Sequence, residues 1–206
     1  MSFNPDRRRL SLAIAGVAWL TLPVEAHAHS PFPGAGDFIG GLLHPVTSPT
    51  HILVIIGLGL MAGRNKLAEL KEPAIVFTIA AGLGLLLTTT GMIVAVPPAI
   101  PVVIALICGA ALALEKRLPT VLSTILFAAG ALTLGLDSAV ENGSTATIIK
   151  TLLGNWISLV LLVVDLAIYV TFGGDAKWLK IAIRIVGSWI IAIALMVLAF
   201  SMRPAS

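Results

Sequence analysis

Two histidines seven residues apart, His44 and His51, are the side chains of this sequence best suited to chemistry. Neutral imidazole is the commonest side-chain ligand for transition metals and suits borderline ions such as nickel. Pro45 and Pro49 lie between them, and a clean apolar run follows that stops at Arg64. Ser48-Pro49 reads as a helix start, with Ser48 as N-cap and Pro49 at the first helical position, where its missing N–H costs nothing. The 15 residues from Pro49 to Gly63 give a helix of roughly 22 Å, short of a hydrocarbon core of about 30 Å. With Arg64 at the inner interface, this helix begins inside the membrane, beside irregular backbone that carries the histidines. Such backbone is tolerated at depth only where it lines a cavity buried in protein. The first span is therefore expected to be discontinuous near its outer end, with the site at the break.

Other donors are judged by depth. Asp137 lies 20 residues beyond Arg117, roughly 30 Å up and level with His44. The expected metal set is therefore His44, His51 and Asp137, with His29 and Asp37 as further candidates and Thr88, Thr89 and Thr90 as supporting hydroxyls. A second acid, Asp165, sits inside LVLLVVDLAIYVTF. A carboxylate in a membrane span is by default functional or paired. Asp165 and Arg184 are equidistant from the turn GGDA at 173–176. In an antiparallel hairpin they would be level, so an ion pair is expected, either a structural clasp or an inner gate. The lone Cys108 permits no intrachain disulfide and reads as packing.

The elements that must position these residues are membrane helices. The chain has 206 residues, 58% hydrophobic and 11% charged, with mean hydropathy +1.03, values of a polytopic membrane protein. Residues 1–28 read as a signal peptide: Arg7, Arg8 and Arg9, an apolar stretch from Leu10 to Leu22, and Ala26-His27-Ala28 as the cleavage signal. Residues 29–206 read as one all-α transmembrane domain of six spans, near 38–63, 73–95, 99–114, 119–136, 151–172 and 177–202. Eight basic residues fall in the segments between spans on one side, and only Lys150 and Arg203 on the other. The positive-inside rule then places both ends of the mature chain in the periplasm of a bacterial inner membrane. The basic residues are scattered over loops, so a nucleic-acid partner is not expected. No phosphate-binding loop, HExxH or nucleophile elbow is present, so no enzyme activity is expected.

The order A-H-A-H, a Gly/Phe-containing lead-in and then HPxxxxxHxxxxxGLxxxAG resembles the HupE/UreJ family of bacterial nickel and cobalt permeases. His44, Pro45 and His51 match that family's first-span motif HPxxGxDHxxxM, with Gly57, Leu58 and Gly63 following in register. Three positions depart from it: Ser48 stands for the motif glycine, Thr50 for the aspartate and Ile55 for the methionine. The family's second motif, HGHAHGxE in the fourth span, falls on residues 130–137, where Gly135 and the acid Asp137 remain and every histidine is gone. The resemblance implies a leader, about six spans and passage of Ni2+ or Co2+, with no permanently bound cofactor.

Losing the aspartate at Thr50 matters physically. A helix N-terminus is the positive end of a dipole and repels a cation unless an acid neutralises it. Two function classes therefore stand at this stage. One is a permease for a divalent transition metal, nickel first, by facilitated or gradient-driven diffusion. The other is a non-transporting accessory or anchor subunit whose partners, besides the lipid bilayer, are other subunits of a membrane complex.

Overall fold

A computed structural model describes residues 36–64, 67–90, 96–140 and 143–201. The leader and His29 lie outside them. The described residues are all helical and hold no strand. The helices are α1 (Gly36–Thr47), α2 (Pro49–Gly63), α3 (Lys71–Thr88), α4 (Ala99–Ala113), α5 (Thr120–Leu136), α6 (Thr145–Gly173) and α7 (Lys177–Ser201), with a 3-10 turn at Leu67–Leu70 before α3.

The centre is α2. It is apolar on every side, which suits a helix surrounded by others rather than one facing water. Val54 and Leu58 are wholly enclosed, and Leu53, Ile55, Leu60 and Ala62 are buried. Around it stand α6, α4, α5 and the edge of α7, while α3 closes the outside by packing on α5 and α6. Leu112, Phe127, Leu134 and Leu159 bring the surrounding helices into the same core.

Three helices, α3, α6 and α7, are long and apolar enough to cross a membrane, and α1 with α2 counts as a fourth crossing bent by 74°. The remaining apolar helices are shorter: α4 has 15 residues and α5 has 17, about 22 and 26 Å of helix. The protein is an all-α membrane protein, and among the described residues each of the six expected segments contains a helix. Two boundaries differ from the sequence expectation. The third helix stops at Thr88, where the hydroxyls of Thr88, Thr89 and Thr90 donate to carbonyls three residues back. The sixth begins at Thr145 rather than 151, because Ser144 accepts a hydrogen bond from the Thr147 N–H at 3.2 Å and caps it.

The basic loops gather at one end. Arg64 Nη1 donates to the carbonyls of Ala111 and Lys116, and Arg117 Nη2 donates to the Arg64 carbonyl. A cleft of about 470 Å³ there is lined by Arg64, Glu115, Arg117, Asp175 and Lys180, among others. The Lys180 ammonium, hydrogen-bonded to Asp175 at 2.8 Å, holds that carboxyl below the ordinary carboxylate range.

The expected pair Asp165–Arg184 does not form. The turn after Gly173 is tight, with Gly174 at φ 57°, yet α6 and α7 do not pack along each other. Instead α6 lies on α1, α2 and α3, and α7 lies on α4. Equal distance from the turn therefore gives equal depth without contact. Arg184 Nη1 stands 3.9 Å from Glu115 Oε2, and Asp165 faces outward on α6 with Leu161, Tyr169 and Phe172.

Candidate metal site at the break between α1 and α2

The break follows from two prolines. Pro45 lies in the last turn of α1 and Pro49 opens α2. A residue before proline is driven out of the helical region, and Ser48 accordingly sits at φ −92°, ψ 113°. Pro49 has no N–H to give the Pro45 carbonyl, so the two helices cannot run on as one. Ser48 is the N-cap as the sequence suggests, but its hydroxyl makes no capping bond. The His44 carbonyl closes α1 instead, accepting from the Ser48 N–H at 3.2 Å and the Thr47 hydroxyl at 3.0 Å.

One histidine stands on each side of this break. Their rings meet edge to face with centroids 5.2 Å apart. His51 is completely buried, and its Nε2 lies 3.0 Å from Oδ2 of Asp137, the residue that ends α5. A carboxylate oxygen accepts, so in the neutral imidazole the proton sits on Nε2 and His51 Nδ1 carries a lone pair. Neither His51 Nδ1 nor His44 Nε2, both buried, has a hydrogen-bond partner.

The structure thus brings His44, His51 and Asp137 into one cluster. Among the described residues, no three His, Cys, Asp or Glu side chains are spaced to hold an ion as they stand. Asp37 does not join: it lies in the first turn of α1, about 10 Å along the helix from His44. The threonine hydroxyls at 88–90 are turned onto their own helix end.

The electrostatics resolve the problem raised by Thr50. The positive N-terminus of α2 meets the negative C-termini of α1 and α5 and the Asp137 carboxylate. Each helix end counts as roughly half a charge, so the sum is net negative. The carboxylate missing at position 50 is supplied across the bundle by Asp137.

The packing sets the depth. A Cβ on Gly41 would fall against the Thr151 carbonyl, and one on Gly154 against the Phe38 carbonyl, so α1 crosses α6 with backbone nearly touching backbone. Further along, Gly59 and Gly63 of α2 rest on Leu166 and Val170. The α6 stretch between these contacts, 154–166, lies near the middle of a helix that runs from 145 to 173. One residue of that stretch escapes the sequence reading: Asn155, buried, with no partner for Oδ1. Its signal is an amide in a long apolar run, the same signal that marks Asp165.

The family model described as HupE / UreJ protein matches residues 17–197. No curated protein shows a significant match to the chain, and no solved structure does.

Proposed function

The chain belongs to the HupE/UreJ family, a membrane family related to nickel and cobalt transport, and from that premise we propose that it passes a divalent transition-metal ion, nickel first, across the bacterial inner membrane. His44 and His51 receive the ion at the break, and Asp137 supplies the negative charge that holds it there. The observation that carries this reading is the pair of buried imidazole nitrogens, His44 Nε2 and His51 Nδ1, left without partners beside a carboxylate. An ion arriving there gains two nitrogen ligands already desolvated and a net negative surrounding. Asp137 is two-fifths exposed, so it can turn from His51 toward the ion without leaving a buried charge unpaired. Passage is facilitated or gradient-driven, with no nucleotide-binding loop in the sequence to power it.

The test is uptake in cells that lack other nickel permeases, at limiting nickel. The wild-type chain should raise nickel accumulation, and His44→Ala or His51→Ala should abolish the gain at unchanged membrane level. Uptake undiminished in the double variant would overturn the reading.

A second reading has its own observation. The positions of α5 that carry histidines in the family motif are Gly130, Leu132 and Leu134 here, the first and last buried in the core and Leu132 half-buried. A chain that has replaced those ligands with packing residues fits an accessory or anchor subunit. Co-purification of a stable partner by a chain with no nickel uptake would favour it.

A further inference from the structure

Buried side-chain nitrogens and oxygens almost always find a partner, because an unmet one gives up its hydration with nothing in return. Among the described residues three do not: His44 Nε2, His51 Nδ1 and Asn155 Oδ1. Two belong to the cluster at the break, and the third comes from α6. Asn155 is 2% exposed. Its position on α6 is fixed by its neighbours. Thr151 and Gly154 form the stripe that meets α1, and Leu166, Ala167 and Val170 the stripe that meets α2. At 3.6 residues per turn residue 155 falls between these stripes, toward the junction of α1 and α2. The next residue, Trp156, turns the other way and donates to the Thr78 carbonyl on α3 at 3.0 Å, which pins the rotation of α6. Along the axis, α6 meets α1 at 151–154 and α2 at 166–170, so Asn155 directly follows the contact with α1.

We infer that Asn155 is a third donor to a divalent cation at the break, its amide oxygen facing the lone pairs of His44 Nε2 and His51 Nδ1. The inference rests on the metal reading above and names a residue that reading does not need. The hydrogen bond from His51 Nε2 to Asp137 makes Nδ1 an acceptor, and the free Asn155 atom is an oxygen. Acceptors gathered at one buried site suit a cation and would repel an anion. Two imidazoles and a neutral amide oxygen form a borderline set, suited to nickel or cobalt rather than to a soft monovalent metal. With only the Asp137 charge nearby, the set holds an ion loosely enough to release it, as a conducting site requires.

The experiment is thermal-shift titration of the purified full-length protein with Ni2+ in detergent, because a ligand that binds the folded state alone raises the melting temperature by an amount that grows with the logarithm of one plus the ligand concentration divided by Kd. Wild type should be stabilised. Asn155→Leu should weaken apparent Ni2+ affinity roughly tenfold, and Asn155→Asp, which adds a charge at the same oxygen, should tighten it beyond wild type. Ni2+ affinity unchanged in both variants, with His51→Ala abolishing it, would overturn the inference and leave the two-histidine site standing. If Asn155→Leu does not fold, Asn155→Asp decides alone: tighter binding supports the inference, and affinity equal to wild type sinks it. No Ni2+ stabilisation of wild type at all would remove the metal reading and this inference with it.

Discussion

His51 Nε2 and Asp137 Oδ2 stand 3.0 Å apart, joining the N-terminus of α2 to the C-terminus of α5 across 86 residues of chain. The contact sets the Asp137 carboxylate beside the positive end of α2, which offsets its unfavourable place at the negative end of its own helix. A hydrogen bond to a charged group is worth about 1.5–3 kcal/mol. With the carboxylate two-fifths exposed, solvent screening brings the expected coupling down to about 1 kcal/mol. A double-mutant cycle of His51→Ala and Asp137→Ala, read from unfolding in detergent, should return that value. Strict additivity would show that the pair does not form in the folded protein.

The second prediction concerns Asp165 and Arg184. Because α6 and α7 do not pack on each other, replacing both by Ala should cost the sum of the single changes to within about 0.5 kcal/mol. A coupling energy well above that would place the two side chains in contact and return α6 and α7 to a packed hairpin.

The break, its histidines and the acid opposite them were legible in the sequence because each leaves a local mark. Proline after serine dictates where a helix starts, and the length from Pro49 to Gly63 dictates that it starts at depth. Asp137 could be placed by counting from Arg117, since depth along a helix is arithmetic. Lateral packing leaves no such mark. The sequence shows that Asp165 and Arg184 share a depth, but not that α2 draws α6 and α7 to different neighbours. Asn155 left in the sequence only the mark of an amide in an apolar run; that its oxygen lacks a partner is seen only in the assembled bundle.

The third prediction tests the crossing of α1 and α6. Gly154→Val should drive a side chain into the Phe38 carbonyl, which belongs to backbone and cannot turn away. The expected cost is about 1–3 kcal/mol, seen as a lower melting temperature or a lower level in the membrane, with metal affinity reduced because the break shifts relative to α6. Wild-type stability in this variant would contradict the close approach.

The fourth addresses sidedness. Ala146 in the first turn of α6 and Lys116 beyond α4 are both exposed and lie at opposite ends of the bundle. Ser138, by contrast, is buried and bonded to the Leu134 carbonyl, so it is unsuited as a reporter. Cys108 is buried and should not label. In intact cells, Ala146→Cys should react with an impermeant thiol reagent from the periplasm and Lys116→Cys should not. The reverse pattern would invert the protein and move the break to the cytoplasmic side of the path.

The most direct measurement is flux through the purified protein. Reconstituted into liposomes containing a nickel-responsive dye, the wild-type chain should admit Ni2+ down its gradient without nucleotide. His44→Ala and His51→Ala should reduce the rate to that of protein-free vesicles, and Asp137→Asn should weaken apparent affinity about tenfold or more. Wild-type liposomes no more permeable to Ni2+ than empty ones, with the protein folded and correctly inserted, would contradict the account and leave the accessory-subunit reading in its place.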